Sequence, residues 1–226
     1  MRKIINERQQ TPDPAILQGF KDLLGIYSPS CVVADAQARA GVMRSYIRPL
    51  VPETRFVGPA LTVRLEPGNQ VDCLDALSVA QAGDVIVVDA AGETETSIWG
   101  GLMSGLCQMK GVVGAVIDGA MRDTDETRDL GFFIFSKAIV PRSTHTPYSG
   151  RMDPIEINVT IQCAGVVVRP GDLVLGDEVG VVVISLETAA EVLAAARALA
   201  DAEERTRAKI REGKTVEELL AEFGRL

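Results

Sequence analysis

Histidine, aromatic side chains and surplus positive charge are what this sequence has least of. Its one histidine, His145, sits in the polar, proline-containing stretch VPRSTHTPYSG, where a surface-loop residue is expected rather than a phosphotransfer imidazole at a helix start. Aromatics make up 4% of the 226 residues, and 23 basic against 31 acidic side chains leave a net charge of -8. Such a field repels phosphate backbones and anionic membrane surfaces, and few rings are present to stack on bases. Nucleic acid and membrane are therefore excluded as expected partners. The N-terminal MRKIINERQQTPDPAIL has two early cations with no apolar stretch behind them, so neither a signal peptide nor an anchor is expected. Cys31, Cys73, Cys107 and Cys163 are far apart, with no CxxC spacing. They are read as four reduced thiols and no zinc knuckle, which fits a cytoplasmic protein.

What is present is a large apolar fraction, 46%, enough for one sizeable core. Short Val/Ile-rich runs follow one another from Phe56: FVGPALTVRL, DVIVVDA, GVVGAVID, FFIF, GVVV, DLVLGD and GVVVI. Runs that are apolar at nearly every position suit strands covered on both faces. Helical spacing is predicted for Ala15 to Leu24, for Ser30 to Ala40 with Ser28 or Ser30 as cap, for Val71 to Gln81 and for Ile98 to Lys110. AGDVIVVD and PGDLVLGD share a Gly-Asp turn feeding a strand, read as recurrent turn chemistry and not as a repeat. After Ile184 the chain becomes helical, and the charged second half of its long helix is expected to wrap the domain or reach a neighbouring subunit. The organisation predicted is one α/β domain over 1–226: helical to 55, an α/β core over 56–186, and C-terminal helices over 187–226.

Two segments carry candidate chemistry. AAGETETSIWGGLMSG, 90–105, is a Gly-rich loop entering a helix, either an anion site built from backbone amides or an ordinary connection of small residues. DGAMRD, 118–123, is read as a strand ending at Asp118, a tight turn at Gly119, and Arg122 with Asp123 at the start of the next helix. Arg122 offers a planar fork for a carboxylate and Asp123 a hard oxygen for Mg²⁺ or Mn²⁺, at the carboxyl end of a sheet where α/β ligands bind. The alternative is helix capping by Asp123 beside a surface arginine. Neighbouring residues are poorly placed for a mutual salt bridge within a helix.

GPALTVR, AGDVIVVD, WGGLMS, GVVGAVIDGAMRD and RPGDLVLGDEVGVVVI, in that order and spacing, resemble the RraA-like family over roughly residues 28 to 224. That family includes the 4-hydroxy-4-methyl-2-oxoglutarate/4-carboxy-4-hydroxy-2-oxoadipate aldolases. The resemblance implies a phosphohistidine-swivelling-like α/β fold, a β/β/α sandwich with N-terminal helices and a long C-terminal helical tail. It also implies a homo-oligomer, trimer or hexamer, with active sites at subunit interfaces. By the same resemblance Arg122 binds a 2-oxo acid substrate and steadies its enolate, and Asp123 binds Mg²⁺ or Mn²⁺. The backbone of Gly100, Gly101, Leu102, Met103 and Ser104 is then expected to hold the pyruvyl carboxylate. Retro-aldol cleavage and decarboxylation of oxaloacetate share one pyruvate enolate, so both activities are implied. A Schiff-base route would need a desolvated lysine, whereas Lys110 and Lys137 are expected at solvated element ends.

The sequence departs from this pattern at Gly101, where the aldolases usually carry an acid that holds the metal through its water shell. Glu93, Glu95 or another acid is left to substitute, and an aspartate placed at 101 is expected to tighten metal binding. A further acid comes, in the family, from the neighbouring subunit's C-terminal helix. Here that is Glu204, expected to be free because Glu203 has Arg207 at i+4. The rival reading is a non-catalytic member that binds and regulates a ribonuclease. Members of that kind lack the aspartate that Asp123 supplies here.

Overall fold

A computed structural model describes residues 3–67, 71–144 and 155–224; His145 lies outside them. Twelve strands and six α-helices occur among the described residues, alternating only from β5 to β7. The strands are β1 (Ile4–Ile5), β2 (Arg48–Pro49), β3 (Phe56–Leu65), β4 (Val85–Asp89), β5 (Ser97–Trp99), β6 (Gly114–Met121), β7 (Ile134–Ile139), β8 (Ile155–Ile157), β9 (Ile161–Cys163), β10 (Val166–Val168), β11 (Leu173–Gly176) and β12 (Val181–Ile184). The helices are α1 (Pro14–Leu23), α2 (Pro29–Ala36), α3 (Gly101–Met109), α4 (Thr124–Asp129), α5 (Ala189–Arg211) and α6 (Val216–Phe223).

The expected apolar runs form the centre, where β3, β4, β6 and β7 lie parallel in that order. Their side chains alternate between two cores, which is why the runs show no polar face. Ile86 and Val88 of β4, with Leu61 and Ile117, pack against Trp99, Met103 and Cys107 on the α3 side. Val85 and Val87, with Val116 and Phe135, pack on the other side against Ile161, Val174 and Val181. The β11–β12 hairpin then turns Leu173, Leu175, Val182 and Ile184 outward to Phe20, Val33 and Leu193 of α1, α2 and α5. The layers are thus sheet, hairpin sheet and helices, the mixed α/β architecture expected, with both the N-terminal helices and the C-terminal helical tail.

Local chemistry sets several boundaries. Asp13 caps α1 by accepting from the Ala15 amide at 2.7 Å, with Pro14 entering the first turn. For α2 neither serine acts as expected, since Ser28 makes no side-chain cap. The cap is distant: buried Asp177 accepts the Ser30 amide at 2.8 Å and the Ser30 hydroxyl at 2.7 Å. The two Gly-Asp turns are alike, with Gly83 at φ 92 and Gly171 at φ 93. In each, the aspartate folds back onto the amide three residues earlier, Asp84 on Gln81 and Asp172 on Arg169.

Three predictions are corrected. Val71 to Gln81 forms only a single 3₁₀ turn, Leu74–Ser78. Ile98 and Trp99 belong to β5, so the helix begins at Gly101. β6 does not stop at Asp118 but runs to Met121, with a register shift between Ile117 and Ala120. Gly119 is therefore no turn; a Cβ there would come within 2.7 Å of the Ala90 Cβ, and glycine permits the close approach. In α5 the buried residues, Ala189, Val192, Leu193 and Ala196, all lie in the first half, and the charged second half is a mixture of exposed and half-buried side chains.

Candidate active site

The site forms where β5 and β6 end side by side and α3 and α4 begin. Arg122 donates its amide to the Trp99 carbonyl at 2.9 Å, which ties the two strand ends together. Trp99 is anchored beneath them: its indole donates to Ser104 Oγ at 3.0 Å and its ring stacks on Phe132. Ser104 Oγ also reaches the Gly100 carbonyl at 3.2 Å and Thr127 Oγ1 at 3.2 Å. Ser104 is fully buried and its amide is bound to Gly100 O, so it supports the loop and offers no donor to a ligand.

Asp123 follows with φ 52 and ψ 49, a left-handed conformation that a non-glycine residue adopts at a cost of about 1–3 kcal/mol. It makes no side-chain cap to its own helix α4, which overturns the capping alternative. Its Oδ2 instead accepts from the Gly101 amide at 3.3 Å, at the N-terminus of α3. The same oxygen meets Arg122 Nε at 3.5 Å, so the neighbours do pair, because they lie in a turn and not in a helix. Both side chains stay about two-fifths exposed, at 43% and 41%. Among the described residues Asp123 Oδ1 accepts no hydrogen bond, and the amides of Leu102 and Met103 have no partner. These are the orphan donors of the α3 N-terminus, where the helix dipole favours an anion.

Arg122, Asp123, Gly100, Leu102 and Met103 line one cleft of about 100 Å³, together with Asp72, Ser143 and Thr144. The last three were not singled out in the sequence. They come from two other segments, and no local motif announces them. A larger depression of about 810 Å³ lies between the end of α2, β10 and the start of α5, but its buried acid Asp172 is already engaged by the amides of Arg169 and Leu186. The smaller cleft is where charge and free donors converge.

Other expected residues are elsewhere. Glu204 lies on α5 and is not free: Arg207 holds it at 3.3 Å and Arg211 at 2.8 Å, and these guanidinium hydrogen bonds lower its pKa. Arg207 also takes Glu203, so one guanidinium serves two acids. Glu93 accepts the Glu95 amide, and neither acid lines the cleft. Lys110 is exposed at the end of α3. Lys137, by contrast, is half-buried within β7, donating to the Gly92 carbonyl at 2.9 Å and lying 4.9 Å from the Tyr46 ring centre. Neither amine lines the cleft, which removes the Schiff-base candidates.

Among the described residues no three His, Cys, Asp or Glu side chains converge on one point. A closed protein cage for a cation is therefore absent there. What fits is a largely hydrated Mg²⁺ or Mn²⁺ held by the open Oδ1 of Asp123, the usual manner for a small hard cation that sheds water reluctantly.

The RraA-like family model, described as Aldolase/RraA, matches residues 30–183. A Halalkalibacterium halodurans protein named "Putative 4-hydroxy-4-methyl-2-oxoglutarate aldolase" is 39% identical over 181 residues, 80% of this chain and 84% of that one. A solved structure from Pseudomonas syringae pv. tomato, described as an uncharacterized protein, superposes with a TM-score of 0.77 at 28% identity, over 93% of this chain and 98% of that one. Streptomyces coelicolor RraAS2, described as an unusual member of the RNase ES inhibitor RraA protein family, does so with a TM-score of 0.74 at 26% identity, over 88% and 98%. The chain belongs to the RraA-like family.

Proposed function

We propose that this RraA-like protein is a divalent-metal-dependent lyase. It would cleave 4-hydroxy-2-oxo di- or tricarboxylic acids to pyruvate by a retro-aldol step and decarboxylate oxaloacetate. The observation that carries this reading is the convergence of Arg122, Asp123 and the unpaired Leu102 and Met103 amides on one cleft. Those amides receive the 2-oxo acid's carboxylate at the positive end of α3. Arg122 turns its fork to the 2-oxo group. When the carbon-carbon bond breaks, the 4-hydroxyl proton passes to water and the second fragment leaves as a carbonyl compound (CO₂ from oxaloacetate). The bond's electron pair moves into the pyruvate enolate, which then takes a proton from water, and Arg122 already holds positive charge where that charge develops. Asp123 would hold Mg²⁺ or Mn²⁺, and a bound ion supplies a Lewis acid at the 2-oxo oxygen.

The cleft is shallow, and beside it Leu102, Leu106 and Met109 are 75%, 37% and 76% exposed along one face of α3. In the proposed trimer or hexamer a second copy covers that face. Glu204 of the partner subunit would supply the further acid once it exchanged its Arg207 and Arg211 contacts for the site, since Glu204 of the same chain lines a different depression. The reading is tested by pyruvate release from oxaloacetate and a small panel of 4-hydroxy-2-oxo acids, with added Mg²⁺ or Mn²⁺ and with excess EDTA. Undiminished turnover in EDTA would rule it out. The ribonuclease-binding alternative draws on the description of the Streptomyces relative. Inhibition of ribonuclease E without pyruvate release from any panel member would favour it.

A further inference from the structure

Gly101 leaves room that another residue has taken. A Cβ built on Gly101 would collide with the carboxylate of Glu126, whose Cγ lies 2.8 Å from that point. Glu126 belongs to α4, 25 positions further on, and is not among the residues that line the cleft; its side chain reaches the α3 N-terminus at Gly101, directly beside that lining. The carboxylate has no hydrogen bond or ion pair among the described residues, although it lies exposed and could have turned to solvent. The Gly101 amide on the same residue is held by Asp123 Oδ2. Two carboxylates therefore flank one peptide unit, and Arg122 pairs with only one of them. Like charges on neighbouring side chains repel, and the dipole of a nine-residue helix offsets only about half a charge. A cation held at this helix start would offset that repulsion.

We propose that Glu126 is the positioning acid of this site: from α4 it supplies the outer carboxylate that residue 101 does not, holding water bound to the ion that Asp123 anchors. The inference rests on the metal-dependent reading above. It also reverses the expectation for Gly101→Asp. The new side chain has no vacancy to enter, so it must expel Glu126, and the variant exchanges one acid for another instead of adding one.

Mn²⁺ titrations by calorimetry test this without reference to turnover, on the wild type, Asp123→Asn, Glu126→Gln, Gly101→Asp and the double variant Gly101→Asp/Glu126→Ala. Thermal unfolding confirms that each is folded. Glu126→Gln is expected to weaken Mn²⁺ binding about 10- to 100-fold, the usual effect of losing a group that orients a ligand or bound water. Gly101→Asp alone should bring no tightening, and the double variant should recover affinity to within several-fold of the wild type. A Glu126 that merely faced the α3 dipole would move the melting temperature and leave the affinity alone. If Asp123→Asn abolishes binding while Glu126→Gln stays within twofold of wild type, the role of Glu126 is overturned and the lyase reading stands. If the wild type itself binds no Mn²⁺, both fall together.

Discussion

Arg122→Lys separates chemistry from scaffold, because the structure sets very different sizes for the two effects. The side chain is 43% exposed, and its ion pair with Asp123 spans 3.5 Å. Pairs that open to water contribute about 0–1 kcal/mol, and lysine keeps the charge, so the stability loss lies at the low end of that range. For a chain of this length about 1 kcal/mol moves Tm by roughly 2–4 °C. The amide bond to Trp99 O is a backbone interaction that lysine retains. What lysine cannot keep is the planar fork. Loss of bidentate contact to substrate and developing enolate is expected to cost about 10²-fold in kcat/KM, about 2.7 kcal/mol of transition-state stabilisation. Pyruvate release from oxaloacetate under saturating Mg²⁺, measured beside thermal unfolding, reads both effects. Near-wild-type kcat/KM would refute the assignment. So would an activity loss accompanied by a fall in Tm of about 10 °C or more, which would make Arg122 part of the scaffold.

Asp177→Ala should be among the most destabilising single changes. The buried carboxylate accepts from the Ser30 amide and hydroxyl and from the amides of Val179 and Gly180, and its removal strands the buried Ser30 donors. A loss of about 3 kcal/mol or more is expected in urea unfolding, against about 1 for Ser30→Ala, and a loss below about 1 for Asp177→Ala would contradict the distant cap. Burial raises the thiol pKa of Cys73 and Cys163 and pushes that of Cys107 up to about 12; desolvation raises that of Cys31 too, but its side chain is exposed, so a disulfide reagent at pH 8 should label one thiol per native chain and four in denaturant. Burial also raises the pKa of Asp89 above its ordinary 3.8, so the folded state binds that proton more tightly than the unfolded chain does. The charged form is then unfavourable in the fold, and stability attributable to Asp89 falls as pH rises from 3.8 through the raised value. The difference in Tm between Asp89→Asn and wild type should therefore grow as pH rises from about 4 to 7, and a flat difference would refute the burial argument.

Much of the fold was legible because both faces of these strands are covered, which writes short, almost wholly apolar runs at β3, β4, β11 and β12. Elements made by tertiary context were not. The three-residue strands Ser97–Trp99, Ile155–Ile157 and Ile161–Cys163 are too short to show a period and exist through their pairing with β6, β3 and β10. Val71 to Gln81 carries helical spacing and does bury Val71, Cys73, Ala76 and Leu77. Its backbone is nevertheless drawn off the helical path where Asp84 captures the Gln81 amide and closes the turn into β4. Side-chain capture of an amide competes with the helical ladder, and propensity alone does not register it.

At the site the same division decides what could be seen. Arg122 and Asp123 stand out in sequence as a charged pair following eight residues that are buried throughout, Gly114–Met121. Their geometry did not, because it depends on one backbone angle: with Asp123 left-handed, its carboxylate swings away from α4 and onto the start of α3. That rotation brings the two side chains together across a turn, a contact that helical spacing had argued against. It also brings α4 close enough for Glu126 to cover Gly101. A glycine that looked like a missing acid is thus the space another acid fills, and the substitution can be interpreted only once residues 101, 123 and 126 are seen as one packed unit. Compensation of this kind leaves no local trace. Neither Gly101 nor Glu126 is unusual in its own segment, and only their overlap makes each informative about the other.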